Sequence, residues 1–411
     1  MKKHFLLIGS LLCSSMVFGQ AYQMNMQGMR QLAMGGTGAA VPWDVSTIFY
    51  NPAGLTAIRN VQVYASMNAV MPRTRYVSAP TGTGMLDAEE KVYTPYNVYI
   101  GAPLAYKSPF SIGFGVYNPF STGINWGDNW TGRYVVQAMR LRTTFFQPTL
   151  SYQVTDEISV GAGFIYGTGY FEYRRALPLL DANGNEGSSE LTGRASGVGY
   201  NLGVHIKAND DVQFGITYRS QVNMNINRGF ARFNVPSSVT SSYLNTAFTT
   251  TLPMPQVVTI GMGWAINENL MLQLEANYTG WAAYDSLRFD YENNSTLLQD
   301  EHSARRYRNS VSLRAGINYQ FKNDRWNLML GGAYLPSPVR EGYLSPEMPD
   351  AKHFTASGGL SWKLSKRITA IGVFEYTLSE VRTGTSTEFG FTGKYHTKVV
   401  NPGLALTYDF N

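Results

Sequence analysis

Apolar and polar residues alternate with a period of two along most of the chain beyond about residue 60. The segment 311–321 reads VSLRAGINYQF, so its odd-numbered positions are apolar and its even-numbered positions are polar or glycine. The segments 270–279 and 404–410 follow a similar pattern. Because successive side chains of a β-strand point to opposite faces, this pattern predicts strands with one apolar and one polar face.

The spacing of the turns separates a membrane barrel from a soluble β-sandwich, whose strands would also alternate. Short polar turns occur near 107–109 and at 155–157, 209–211, 267–269, 322–324 and 365–367. Longer segments rich in Gly, Ser, Thr and Asn lie between them, at 72–92, 118–140, 175–195, 229–252, 291–307, 337–350 and 380–395. Short turns on one side and long loops on the other are typical of an outer-membrane barrel.

Six short turns and seven long loops connect fourteen predicted strands. The expected fold is therefore all-β, a fourteen-stranded antiparallel transmembrane β-barrel, and an even strand number places both chain ends in the periplasm. The predicted strands are 61–71, 94–105, 110–117, 141–153, 157–173, 196–207, 211–227, 254–266, 269–289, 308–321, 325–335, 351–363, 367–378 and 397–410.

The composition agrees with a lipid-facing barrel. Only 15% of the residues are charged, and the chain contains 27 Tyr and 41 Gly. The net charge of +5 is spread without a basic run, so nucleic acid is not an expected partner. The last strand ends near Phe410 and resembles the signal that the barrel assembly machinery reads. That machinery and outer-membrane lipids are expected partners of a chain that we expect to be monomeric.

The first residues predict export. Residues 1–19 read as a signal peptide, because Lys2 and Lys3 precede a short apolar stretch and small residues precede a cleavage point after Gly19. Export and the barrel pattern together predict that the protein lies in the cell outer membrane. The single cysteine, Cys13, lies within this peptide, so no disulfide framework is expected.

Residues 20–60 do not alternate, and they are rich in Gly, Ala and Met. A barrel of fourteen strands encloses more volume than its own side chains fill. We therefore predict that 20–60 form a plug inside the lumen and that 61–411 form the barrel. A disordered leader is the alternative, and the apolar content and the turn-forming Asn51-Pro52 favour the plug.

Two runs within this segment, AMGGTGAA at 33–40 and FYNPAGL at 49–55, resemble the N-terminal hatch of the FadL/TodX family. These are outer-membrane transporters of long-chain fatty acids and aromatic hydrocarbons, and the resemblance extends over nearly the whole mature chain. It implies a fourteen-stranded barrel, uptake of apolar ligands at the extracellular loops, and release after the hatch moves. It also implies a sideways exit where the third strand kinks. The hatch motif consists of Asn51, Pro52, Ala53, Gly54 and Leu55.

Several residues could contact a ligand. Arg219 and Arg314 fall on the lumen side of their strands and could bind a carboxylate, or they could form internal ion pairs with Glu275 or Glu375. The long loops carry Phe120, Trp126, Trp130 and Phe248, which could make the first ligand contact. Alternatively, these aromatic residues anchor the barrel at the membrane interface or pack loop against loop.

Lumen-facing glycines leave room either for a ligand or for the hatch; they are Gly113, Gly161, Gly163, Gly203, Gly215, Gly261 and Gly316. Asn118-Pro119 follows the third strand. Proline cannot donate to a sheet ladder, so pairing should break there. This break could form the sideways exit, or it could simply end the strand.

No catalytic, cofactor or metal motif emerges. The four histidines beyond residue 200 are far apart, and no nucleophile elbow is present. We therefore expect no enzyme activity, no cofactor and no metal. The sequence predicts a channel for uptake of hydrophobic compounds, with long-chain fatty acids as the expected cargo. The alternative is a surface-protein shuttle or secretion component built on the same barrel.

Overall fold

Fourteen antiparallel strands close into one barrel, as the sequence predicted. The computed structural model describes residues 21–79, 82 and 84–410; the predicted signal peptide, 1–19, lies outside the described residues. The first strand pairs with both the second and the last, with Val63 opposite Ile100 on one side and Tyr408 on the other. This pairing joins the first and last strands of the sheet, so the sheet closes as a barrel in lipid requires.

The strands of the first half are β1 (Val61–Asn68 and Met71–Ser78), β2 (Tyr96–Pro103), β3 (Phe110–Tyr117 and Ser121–Asn125), β4 (Ala138–Gln153), β5 (Ile158–Leu180), β6 (Glu186–Lys207) and β7 (Val212–Arg219 and Val222–Asn234). Those of the second half are β8 (Thr246–Met254 and Val257–Asn267), β9 (Leu270–Thr279 and Ser286–Tyr291), β10 (Glu301–Ala304 and Ser310–Gln320), β11 (Trp326–Leu335), β12 (His353–Lys363), β13 (Ile368–Ser379 and Arg382–Ser386) and β14 (Phe391–Phe410). A short strand, Met85–Asp87, pairs with the outer part of β1 in the first long loop.

Several strands extend into segments that the sequence predicted as loops. The clearest case is 175–195, where β5 and β6 continue as a hairpin that turns only at 181–185. The predicted loop boundaries were wrong there because the outward face of these strands changes from apolar to polar. The alternation that marks a strand then disappears, while the backbone pairing continues.

The two faces of the barrel have the predicted character. Along β10, Val311 and Leu313 are 42% and 55% exposed, whereas Ser312 and Arg314 are 3% and 4% exposed. The apolar face therefore points outward and the polar face points into the lumen, as a barrel in lipid requires.

The N-terminal segment, residues 21–60, contains two short helices and a 3-10 helix: α1 (Met29–Ala33), α2 (Thr47–Tyr50) and Pro52–Ala57. Most of its side chains are buried, and they contact the lumen-facing side chains of strands all around the barrel. Among the described residues, no helix is long and apolar enough to cross a membrane. The segment occupies the barrel end that carries the short turns, here called the short-turn end; the other is the long-loop end.

The outward face gives a direct test of membrane insertion. Leu274 lies in the middle of β9 and is 43% exposed. We expect Leu274→Arg to lower the free energy of unfolding in lipid vesicles by about 2–4 kcal/mol, because the charge would lie near the bilayer midplane. Asn183→Arg, at the exposed β5–β6 turn, is the control and should change it little. Equal effects of the two substitutions on denaturant unfolding would contradict this orientation.

Candidate functional site

The hatch motif is fixed to the barrel wall through Asn51. Its side-chain amide donates to the carbonyls of Ala39, at 2.7 Å, and of Val204 on β6, at 3.0 Å. Its side-chain oxygen accepts from the N–H of Ala53 at 3.1 Å and so caps the 3-10 helix. The Pro52 carbonyl accepts from the Ser151 hydroxyl at 2.5 Å. One asparagine therefore joins two parts of the N-terminal segment to the wall.

Glycines of the wall make room for this segment. A methyl group at Gly203 would overlap the Asn51 oxygen and lie 2.8 Å from Cδ of Pro52, and one at Gly161 would overlap the Pro52 backbone. Of the glycines predicted to face the lumen, six contact the N-terminal segment, whereas Gly163 faces Gln147 on the wall. The six are Gly113, Gly161, Gly203, Gly215, Gly261 and Gly316. In this structure these glycines make room for the N-terminal segment and not for a ligand.

Charged side chains of the wall also hold the segment. The Glu275 carboxylate accepts from the N–H groups of Gly38 and Ala39, at 2.8 and 2.9 Å. Arg314, which lies opposite Glu275 in the β9–β10 ladder, donates to the Gly36 carbonyl at 3.1 Å. Arg219 donates to the Phe49 carbonyl at 2.5 Å, and its guanidinium stacks on the Phe49 ring at 3.8 Å.

Both arginines predicted as ligand-binding residues thus contact the N-terminal segment. They also border a small internal cavity of about 30 Å³, which is large enough for water and too small for a fatty acid. The structure brings Arg314 close to Glu275 and within electrostatic reach of Glu375, as the internal ion-pair alternative from the sequence anticipated, and Glu375 also accepts a hydrogen bond from Asn401.

The third strand is interrupted where Asn118-Pro119 was predicted to break it. The β3–β4 register shifts by one residue between Tyr117 and Ser121. On its other side, β3 pairs with β2 only as far as Val116, within the described residues. Beyond that point a gap separates the two strands.

The start of the N-terminal segment fills part of this gap. The N–H of Met24 donates to the Pro119 carbonyl at 2.9 Å, and the N–H of Ser121 donates to the Tyr22 carbonyl at 3.0 Å. Gln23 and Phe120 form an antiparallel bridge between these bonds. Residues 22–24 therefore lie beside β3 in the position that β2 occupies lower in the barrel.

Asn118 satisfies other backbone groups at the break. Its side-chain oxygen accepts from the N–H of Tyr96 on β2 at 3.0 Å, and its amide donates to the Thr143 carbonyl on β4 at 2.8 Å. One side chain thus bridges β2, β3 and β4 where the regular ladder stops. Asn118 and Pro119 do more than end the strand.

Two cavities meet at this break. The lumen cavity, of about 260 Å³, is lined by residues that include Met26, Pro72, Ile124, Leu335, Met348 and Val399. The wall cavity, of about 950 Å³, opens on the outer face, and its lining includes Lys91, Tyr96, Asn118, Arg142, Tyr166 and Arg194. Met24, Tyr93 and Ser121 line both cavities. The start of the N-terminal segment therefore separates the lumen from the outer wall.

The lumen cavity carries acidic side chains. Glu347 forms a buried ion pair with Arg305, and Glu375 and Asp350 also line the cavity. Burial raises the pKa of the Asp350 carboxyl, and this increase is partly offset by His353, by a hydrogen bond from Ser337 and by Arg382. The cavity is therefore suited to apolar groups more than to an anion.

The predicted loop aromatics are buried in ring contacts instead of being exposed. Trp126 and Trp130 stack at 5.0 Å, and Tyr76 packs against Trp130 at 5.5 Å. Phe120 packs on Tyr22 and Phe145, both at 6.0 Å, and Phe248 packs on Phe289 at 5.6 Å. The structure therefore favours packing over an exposed first-contact role: Trp126 and Trp130 pack between segments predicted as loops, whereas Phe120 and Phe248 pack on rings of the strands.

A separate loop cavity of about 550 Å³ lies at the long-loop end. Its apolar lining includes Phe233, Tyr243, Leu287, Phe289, Leu297 and Leu298. Leu297 is 52% exposed, so part of this surface is open to solvent. The predicted loop 229–252 contributes Phe233 and Tyr243 to it, although the four predicted aromatic residues do not line it.

Residues 10–410 match the family described as "Outer membrane protein transport protein (OMPP1/FadL/TodX)". The chain belongs to this family. A curated relative, the long-chain fatty acid transport protein of Salmonella typhi, is 21% identical over 397 residues, which cover 89% of this chain and 88% of the relative. Family membership makes the chain an outer-membrane transport channel for hydrophobic compounds, and not an enzyme.

Solved FadL/TodX structures share this fold. A Pseudomonas aeruginosa FadL homologue matches with a TM-score of 0.81 at 18% identity, over 96% of this chain and 100% of that chain. The Ralstonia pickettii toluene transporter TbuX matches with a TM-score of 0.72 at 17% identity, over 93% and 98%. At these identities the likeness establishes the barrel fold of this FadL/TodX protein and does not identify its cargo.

The sequence analysis did not identify the residues that line both the lumen cavity and the wall cavity of this FadL/TodX barrel. Met24, Tyr93 and Ser121 carry no motif, and only the folded chain brings them together. Arg142 and Arg194 lie where the outward face of β4 and β6 changes from apolar to polar, and Arg194 falls in the segment predicted as the loop 175–195, so no sequence pattern distinguishes them.

The fit of the N-terminal segment can be tested at Gly203. We expect Gly203→Ala to destabilise the packing of the segment against the wall by roughly 1–3 kcal/mol, because the added methyl group overlaps the side chain of Asn51. Hydrogen exchange in residues 21–60 should become faster. Gly372→Ala is the matched control, since a methyl group there would only touch Leu404 at 3.7 Å. Unchanged exchange in Gly203→Ala would show that this contact does not hold the segment.

Proposed function

We propose that this channel takes up long-chain fatty acids and releases them sideways into the membrane through the break in β3. In this proposal the long-loop end faces the outside, and the short-turn end and both termini face the periplasm. One chain closes the barrel and encloses the path, so the protein acts as a monomer. The relatives named as long-chain fatty acid and toluene transporters support a hydrophobic cargo.

Cargo would first bind at the loop cavity, where partly exposed apolar side chains such as Leu297 are available. The lumen cavity would then receive the apolar tail among Met26, Ile124 and Met348. Apolar lining with a few polar groups is typical of small-molecule sites. Arg219 and Arg314 bind the Phe49 and Gly36 carbonyls of the part of the segment that stays in place, so the cargo's carboxylate is not assigned to them.

The proposed exit rests on one observation: Met24, Tyr93 and Ser121 line both the lumen cavity and the wall cavity. Residues 22–24 are held by two backbone hydrogen bonds to β3, by a hydrogen bond from the Tyr22 hydroxyl to the Pro253 carbonyl at 2.6 Å, and by packing of the Tyr22 ring on Phe120, Trp281 and Tyr284. We propose that these contacts open to join the two cavities. The rest of the N-terminal segment, fixed through Asn51, Glu275 and Arg219, would stay in place and keep the short-turn end closed.

Uptake by cells tests the cargo. In a strain that lacks its own fatty acid channel, this chain should raise the uptake of radiolabelled oleate at least several-fold over a vector control, while uptake of glycerol stays constant. If no apolar compound enters faster than in the control, the uptake proposal fails. Capture of a secretion partner under those conditions would favour the shuttle alternative.

A reversible cross-link tests the gate. Gln23 and Phe120 are opposed in an antiparallel bridge, at a separation suited to a disulfide. We expect the oxidised Gln23→Cys/Phe120→Cys protein to take up oleate about tenfold more slowly than the same protein after reduction. Each single-cysteine variant controls for loss of the Phe120 ring. Equal uptake in the oxidised and reduced forms would mean that residues 22–24 need not move.

A further inference from the structure

The wall cavity differs in charge from the lumen cavity. Its lining includes the cationic side chains of Lys91, Arg140, Arg142 and Arg194, and no Asp or Glu of the described chain lines it. Acidic side chains line the lumen cavity instead. An anionic head group would therefore meet an increasingly favourable potential as it passed from the lumen to the outer wall.

Arg142 and Arg194 form a cross-strand row with Tyr170. Ser121 lies opposite Arg142, Arg142 lies opposite Tyr170, and Tyr170 lies opposite Arg194. All four belong to the lining of the wall cavity, and the side chains of Arg142, Tyr170 and Arg194 are exposed. The row begins at the break in β3 and continues along the outer face.

The row lies at the outer edge of the apolar band. Arg142 is ten residues along β4 from Tyr152, which packs on Phe110 near the short turns. At a rise of ~3.3 Å per residue and a tilt of roughly 40°, ten residues span about 25 Å, the height of the apolar band. A head group bound here would lie at the membrane interface, with its tail in the lipid.

The charges of Arg142 and Arg194 are not neutralised within the part of the chain that the structure describes. Arg140 is 3.6 Å from Glu172, whereas neither Arg142 nor Arg194 forms an ion pair with any residue that the structure describes. Arg142 on β4 and Arg194 on β6 lie two strands apart, with Tyr170 on β5 between them, so neither charge is neutralised by the other, and a charge on the lipid face is at best neutral for stability. Such an arrangement is explained by an anion that binds between them.

We propose that Arg142 and Arg194 form a site for the carboxylate of the departing fatty acid. The inference rests on the proposed function and adds a head-group site to it. Arginine offers paired donors that match a carboxylate, and both residues line a cavity that shares Met24, Tyr93 and Ser121 with the lumen. The site would favour ionised fatty acids over neutral hydrocarbons.

Paired cargoes test this site. Arg142→Gln/Arg194→Gln should lower oleate uptake about tenfold and leave uptake of the neutral methyl oleate unchanged. Lys394→Gln/Lys398→Gln is the matched control: it removes two exposed cations at a similar height on β14, away from the wall cavity, and should change neither cargo. Heat-modifiable migration on gels shows that each variant is folded.

Three outcomes would overturn the site. They are an equal loss of both cargoes in the arginine variant, an equal oleate loss in the lysine control, and unchanged oleate uptake together with reduced binding of purified lipopolysaccharide. The last outcome would assign the arginines to phosphates of the outer leaflet. If the unaltered protein takes up neither oleate nor methyl oleate, the proposed function itself fails, so the two failures are distinguishable.

Discussion

The need to pair every backbone N–H and C=O within lipid governs this structure. Closure of β1 onto β14 meets that need around the barrel, and the gap between β2 and β3 is where the ladder departs from it. There the pairing comes from residues 22–24 and from the Asn118 side chain. Opening the wall therefore requires that water or cargo replace defined hydrogen bonds, which couples the sideways path to the position of the N-terminal segment.

The interior is built around the same segment. Wall glycines allow close contact with Asn51 and Pro52, while Glu275 and Arg219 bind its backbone. Such contacts are found along 29–54, whereas residues 22–24 are held by two backbone hydrogen bonds to β3, by a hydrogen bond from the Tyr22 hydroxyl to the Pro253 carbonyl and by ring packing. In the proposed function, the deeper part closes the short-turn end, and the first residues move in response to cargo.

The sequence predicted the barrel because periodicity and turn length are local properties that survive folding. It predicted the lumen-facing phase of Arg219 and Arg314, but their partners depend on where the N-terminal segment lies, which no local pattern encodes. The sequence also left open whether Trp126 and Phe248 are buried, because an aromatic residue in a predicted long loop can face solvent or another ring. The strand break at Asn118-Pro119 was predictable from proline chemistry, and the bridging role of Asn118 required the fold.

In the proposed function, cargo passes from the lumen cavity through the β3 break to the outer wall. Photolabelling of the purified barrel tests it most directly, with a fatty acid that carries a diazirine near its terminal methyl group and mass spectrometry to locate the label. Passage along this route should leave labels on Met24, Ile124 and Met348, which line the lumen cavity. Labels confined to outward-facing side chains such as Leu404 and Leu406 would contradict it.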